Sequence, residues 1–108
     1  CSSDLFSLRV VKLVQSLPKN MVADVMGKQV LRSATSVGAN YRAVCRAQSD
    51  AMFIAKLSIV VEEADETVYW LELIQDAGLV KPELLAELID EAEQILKIMA
   101  ASRKTARN

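Results

Sequence analysis

The most constraining feature of this chain is an apolar stripe that repeats by four and three residues between positions 53 and 74. This heptad spacing is typical of a helix that packs in a bundle. With only three glycines and two prolines in 108 residues, the chain has far too few turn formers for an all-β fold. Hydrophobic residues make up 52% of it, enough to bury a core without disulfides or a metal. The stripe consists of Phe53, Leu57, Val60, Ala64, Thr67, Leu71 and Ile74.

Three further segments also have helical periodicity and are bounded by start and stop signals. The spacing predicts helices over about residues 4–17, 21–47, 50–77 and 82–102, with fraying after that. Pro18 ends the first helix, Ser49 caps the third, Gly78 follows it, and Pro82 opens the fourth. Because the links are short, neighbouring helices are expected to be antiparallel. We therefore predict an all-α chain whose residues 1–108 form a single antiparallel up-down-up-down four-helix bundle.

Small residues cluster in the middle of the second helix, around Ala34 and Gly38. A glycine inside a helix costs about 1 kcal/mol relative to alanine. A helix retains such a residue where another backbone must come close, so we expect close packing over Ala34, Gly38 or both. A kink at Gly38 is the alternative.

Charge is unevenly distributed along the chain and along the second helix. Residues 1–56 hold eight Lys/Arg against three acidic residues, whereas residues 57–108 hold five against eleven. Four cations share one side of the second helix at about 100° per residue. They allow three interpretations: an ordinary solvated face, a row that binds the phosphates of RNA or DNA, or a contact with acidic residues of the same or another subunit. These cations are Lys28, Arg32, Arg42 and Arg46.

The third helix carries apolar residues outside its heptad stripe, including the only tryptophan. Ile59, Tyr69, Trp70 and Leu73 lie beside or among acidic residues. Extra apolar area of this kind indicates a subunit interface. The alternative is a wide seam that touches two neighbouring helices within one subunit.

The chain lacks the residues that most enzyme chemistry needs. It contains no histidine, the commonest general base and metal ligand. Glu62 and Glu66, like Glu87 and Glu91, have a spacing found in di-iron bundles, but they fall on polar faces and lack the histidines of such sites. We therefore predict no enzyme activity, no catalytic residue, no metal and no cofactor.

Cysteine content and hydropathy bear on location. Cys1 and Cys45 form neither a disulfide framework nor a zinc pattern, which favours a reduced, cytoplasmic protein. No apolar run reaches the roughly 18 residues of a membrane span, and no signal peptide is visible. We expect no membrane partner.

Three segments together resemble the bacterial "four helix bundle protein" family, whose founding members are encoded in intervening sequences of 23S ribosomal RNA genes. The resemblance extends from Phe6 to about Ile98. It is carried by the stretch from Leu31 to Arg42, by Phe53-x-x-Lys56-Leu57-Ser58-Ile59, and by Glu63-Ala64-x-Glu66-Thr67-x-Tyr69-Trp70-Leu71.

The resemblance implies an antiparallel bundle that assembles into a homo-oligomeric ring, specifically a pentamer, without known enzyme activity. A related branch, the accessory proteins of diversity-generating retroelements, forms similar rings and works with a reverse transcriptase and nucleic acid. Those relatives are basic, whereas this chain has a net charge of −1, which weakens any transfer of nucleic-acid binding. The expected function is thus a ring-forming scaffold or interaction protein, with RNA or DNA binding as the alternative.

Overall fold

A computed structural model of the chain describes residues 4–108, which form four α-helices joined by short links. The helices are α1 (Asp4–Gln15), α2 (Met21–Cys45), α3 (Asp50–Asp76) and α4 (Pro82–Arg107). The side chains of Asn20 and Ser49 accept hydrogen bonds from the amides of Ala23 and Met52 at the starts of α2 and α3. The prediction of an all-α four-helix bundle is confirmed.

All four helices end at residues other than those expected: α2 ends at Cys45 rather than Ala47, and α3 ends at Asp76 rather than Ala77. α1 ends at Gln15 rather than Leu17, because the residue before a proline is disfavoured in the α conformation. α4 continues to Arg107 instead of fraying after Ser102. Lys104 and Arg107 lie in its last turn, where cations interact favourably with the negative end of the helix dipole.

Two apolar clusters form the core, and α1 contributes to only one of them. The first cluster joins Phe6, Val10 and Leu13 of α1 to residues of the other three helices. The second lies between α2, α3 and α4 and includes Val37, Val44, Leu57, Val60 and Ala64. α1 is 12 residues long and the others are 25 to 27, so it spans about half of the bundle.

α1 packs closely on two parts of α2. Ser7 Oγ donates to the carbonyl of Ala34 at 3.4 Å, and both Ala34 and Gly38 are buried. A Cβ added at Gly27 would lie 3.1 Å from Leu17 Cδ1 and 3.3 Å from Val14 Cγ1. Gly27 is therefore a second close-approach position, which the small-residue argument missed because Gly27 lies outside the cluster around Gly38.

Cys45 is disulfide-bonded, and residues 4–108 contain no free thiol. The expectation of reduced cysteines is therefore wrong for Cys45. The other cysteine of the sequence, Cys1, lies outside the described residues.

None of the helices within residues 4–108 is both long enough and apolar enough to cross a membrane.

Candidate contact surfaces on α2 and α3

A buried pair of hydroxyl groups sets how α2 and α3 face each other. Ser33 and Thr67 are both fully buried, and Thr67 Oγ1 lies 2.8 Å from Ser33 Oγ. Each hydroxyl also contacts its own helix, Ser33 at the carbonyl of Val30 and Thr67 at that of Glu63. Because α2 and α3 are antiparallel, this contact fixes which residues lie opposite one another on either side of it.

Arg32, next to Ser33, is held by two carboxylates of α3. Its guanidinium donates to Glu63 at 3.0 Å and also forms an ion pair with Glu66. The Arg32 side chain is half exposed, so solvent screens these ion pairs. We call Lys28, Arg32, Arg42 and Arg46 the basic row; one of its four cations is thus paired with carboxylates of its own subunit. For Arg32, pairing within the subunit is the observed arrangement.

The other three cations of the row remain on the surface. Lys28, Arg42 and Arg46 are exposed, and none of them forms an ion pair within the part of the chain that the structure describes. The row is therefore available for an anionic partner at three of its four positions.

Apolar side chains continue along the α3 side of the same flank. Ile59 is 36% exposed and Tyr69 is 56% exposed, while Trp70 and Leu73 are half-buried. The rings of Tyr69 and Trp70 pack edge to face with centroids 4.9 Å apart, and Trp70 also packs against the first core cluster. Trp70 thus belongs partly to a wide seam inside the subunit, whereas Ile59 and Tyr69 face solvent.

The indole nitrogen of Trp70 is buried and has no hydrogen-bond acceptor among the described residues. A buried donor without a partner has a desolvation cost of about 1–3 kcal/mol. This cost is not offset by any hydrogen bond among residues 4–108.

The structure adds α2 residues to this apolar surface that the periodicity argument did not select. Val22 and Val25 are 52% and 53% exposed. Val25 lies seven residues before Arg32, on the same side of α2, and Leu73 lies seven residues after Glu66, on the same side of α3. Since Arg32 reaches Glu66, both side chains belong to the same flank.

We call this surface the flank patch. The signal for its α2 part was present in the sequence, because valines off the apolar face of an amphipathic helix are unexpected. The flank patch consists of Val22, Val25, Ile59, Trp70 and Leu73.

Helices α1 and α4 carry further exposed apolar residues. Leu5 and Leu8 on α1 are 63% and 55% exposed, and Leu84 on α4 is 56% exposed. Leu84 lines an open groove of about 390 Å³ between the two helices. Arg9 and Glu91 close its edge with an ion pair of 2.7 Å.

No group of three or more His, Cys, Asp or Glu side chains within residues 4–108 is placed to hold a metal ion. Glu62 and Glu87 are exposed, and Glu66 and Glu91 are held by arginines. The acidic residues of α3 and α4 thus face solvent or cations of α1 and α2.

Fold and surfaces together define a four-helix bundle protein whose α2 and α3 are joined by a buried hydroxyl pair and flanked by an apolar surface. The chain belongs to the 23S rRNA-intervening sequence protein family, whose model matches residues 2–101. A solved structure of a protein of unknown function from the S23 ribosomal protein family of Bacteroides thetaiotaomicron VPI-5482 is similar. It is 39% identical, each chain covers 94% of the other, and the TM-score is 0.85. A search of curated proteins found no match.

Proposed function

We propose that this protein is a non-enzymatic subunit of a homo-oligomeric ring that acts as a scaffold or interaction protein. The observation that carries the proposal is the flank patch, an apolar surface outside the core of a chain that already buries two apolar clusters. Such surfaces on otherwise polar proteins mark interaction sites. The resemblance of the sequence to ring-forming bundles, pentamers in particular, supports the same assembly.

A ring requires two different faces on each subunit, because a closed rotational assembly joins its members head to tail. The flank patch lies on the α2–α3 side, and the exposed leucines Leu5, Leu8 and Leu84 lie on the α1–α4 side. These sides are opposite in a bundle where α2 contacts α3 and α1 contacts α4. We propose that the flank patch of one subunit packs against the exposed leucines of the next.

Light scattering coupled to size exclusion tests this assembly. Val25→Asp introduces a charge into the flank patch at an exposed position, so the fold is retained while the contact is lost. Thr35→Asp, at an exposed position of the same helix about 80° round from Val25, is the matched control. We expect the wild type and Thr35→Asp to have the mass of a ring and Val25→Asp to have a lower one.

Trp70→Ala is expected to lower the subunit count as well, since aromatic anchors dominate interface energies. Because Trp70 also touches the core, circular dichroism must show that the variant is folded. A monomeric wild type, or native mass in both Val25→Asp and Trp70→Ala, would contradict the proposal.

The absence of enzyme activity and of a metal is part of the proposal and has its own test. Protein purified without added metal is expected to contain far less than one iron, manganese or zinc per chain by mass spectrometry. Stoichiometric metal would overturn this part and leave the assembly untouched.

Location is also part of the proposal: we place the protein in the cytoplasm, although disulfides such as that of Cys45 are rare there. Cell fractionation measures this, and recovery of the protein outside the cytoplasmic fraction would contradict it. Alkylation of cell extracts before and after reduction measures how much of the Cys45 disulfide is formed in cells, and a fully protected Cys45 would argue for an oxidising compartment.

The alternative function is binding of RNA or DNA along the basic row. Lys28, Arg42 and Arg46 favour it because they are exposed and make no ion pair among the described residues. Three phosphate contacts predict a slope of about −2 for log affinity against log salt on a single strand.

Reversal of Arg42 and Arg46 to Glu is expected to abolish this binding. Reversal of Lys19 and Lys81 to Glu, which changes the charge equally outside the row, is the control. If both double variants lose the same affinity for RNA, binding depends on net charge alone and not on the basic row.

A further inference from the structure

Two oppositely charged side chains line the groove between α1 and α4, which we call the α1–α4 groove, without meeting each other. At its edge Arg9 of α1 and Glu91 of α4 form an ion pair of 2.7 Å. About one turn further along each helix, Lys12 and Glu87 also line the groove and are exposed. Neither of them forms an ion pair with any residue from 4 to 108. Among the described residues, the groove thus presents an unpaired cation on one rim and an unpaired anion on the other.

The floor of the α1–α4 groove between these charges is apolar. Leu13 and Leu88 are buried there, and Leu84 stands exposed at the rim. The groove lies between the end of α1 and the start of α4, so α1 runs toward it from Asp4 and α4 runs away from it to Arg107. The groove therefore offers an apolar surface and two charges to a segment that is itself apolar and carries both signs of charge.

The start of α2 carries such a combination on its outer side. Met21 is 80% exposed and Val25 is 53% exposed. Asp24 and Lys28 are exposed beside them, and neither forms an ion pair within the part of the chain that the structure describes. All four side chains lie within about 100° of one another at about 100° per residue. We call Met21, Asp24, Val25 and Lys28 the α2 ridge.

We propose that the α2 ridge of one subunit docks into the α1–α4 groove of the next, which deepens the proposed ring and rests on it. Asp24 then pairs with Lys12 of the next subunit, and Lys28 pairs with Glu87 of that subunit. Side chains four residues apart on a helix are about 5–6 Å apart, and the axes of two packed helices are about 8–10 Å apart. Two charges one turn apart on α2 can therefore reach both rims of one groove when α2 crosses it.

The apolar and the charged residues of the α2 ridge have different roles in this contact. Exposed ion pairs contribute little affinity, so burial of Met21 and Val25 supplies most of the attraction. The charges select one orientation, because a reversed or shifted α2 would bring like charges together. A lone small ion suits the groove less well, since one of the two oppositely charged rims would repel it.

Charge reversal followed by rescue tests the proposal on the full chain. Lys12→Glu and Asp24→Lys each place like charges together, so each is expected to raise the concentration of half-dissociation of the assembly at least fivefold. The double variant Lys12→Glu/Asp24→Lys restores opposite charges and is expected to return this concentration to within twofold of the wild type. Light scattering over a dilution series at 0.1 M salt, where the Debye length is about 10 Å, measures it.

A second pair and a control make the test specific. Glu87→Lys and Lys28→Glu are expected to weaken assembly singly and to restore it together. Lys97→Glu reverses an exposed cation of α4 that lies outside the groove and the ridge, and it is expected to leave the concentration of half-dissociation unchanged. Circular dichroism must show that every variant is folded.

Failure of this contact and failure of the ring give different results. An assembly that Val25→Asp disrupts but that none of the four single reversals weakens would overturn the contact and leave the ring intact. Single variants that weaken assembly, with double variants that stay as weak, would show that these charges do not pair with each other. A wild type that is monomeric throughout the dilution series would overturn the ring and the contact together.

Discussion

Thr67 Oγ1 lies 2.8 Å from Ser33 Oγ in the interior of the α2–α3 interface. Two hydroxyl protons serve three contacts there, because Ser33 also reaches the carbonyl of Val30 and Thr67 that of Glu63. Either hydroxyl can therefore donate to the other helix while its neighbour donates to the carbonyl of its own helix. The pair joins the two helices at the point where Arg32 also reaches across to α3.

Thr67→Val keeps the shape of the side chain and removes the bond between the helices. We expect a loss of about 1 kcal/mol in the free energy of unfolding. Ser33→Ala should cost a similar amount, and the double variant less than the sum, because both changes remove the same bond. Urea unfolding of the four proteins measures this, and strict additivity would show that the hydroxyls act independently.

Leu57→Ala removes a side chain that is 1% exposed in the second core cluster. The lost burial and the cavity should lower the free energy of unfolding by about 2–5 kcal/mol. Met52→Ala, at a position that is 45% exposed and outside both proposed contact surfaces, should change it by about 0.5 kcal/mol or less. A cost below about 1 kcal/mol at Leu57 would mean that the site relaxes to fill the space.

Gly38→Leu adds a large side chain at a buried position of α2. Helix propensity alone would stabilise this variant by nearly 1 kcal/mol, whereas overpacking should destabilise it by about 1–3 kcal/mol. Ala39→Leu, the exposed neighbour, is the control and should be near neutral. Thermal unfolding decides between the two effects, and a higher melting temperature for Gly38→Leu would exclude close packing there.

Arg32→Met should destabilise the protein more than Arg9→Met, because Arg32 contacts two carboxylates and Arg9 one. Both arginines are at least half exposed, so screening limits each effect to about 1 kcal/mol or less. The difference should shrink at 1 M salt, where the Debye length is about 3 Å. A difference that persists at high salt would point to packing by the Arg32 stem.

Periodicity alone predicted most of the core because burial of an apolar stripe is a local consequence of helix geometry. Leu57, Val60 and Leu71 needed only their spacing in the sequence to be assigned to the interior, and all are at most 1% exposed. The valines of the flank patch were missed because Val22 and Val25 lie off the stripe. Their proximity to Leu73 depends on how α2 and α3 pair.

The sequence by itself determined the helical class, the antiparallel order and the separation of a basic first half from an acidic second half. Only the tertiary structure decided which residues those charged side chains contact. Antiparallel packing brings the end of α2, the start of α3 and the end of α4 to one end of the bundle, so the basic residues there gather from segments far apart in the chain. The same packing turns Arg32 toward Glu63 and Glu66, because an ion pair depends on distance in space and not on spacing along the sequence.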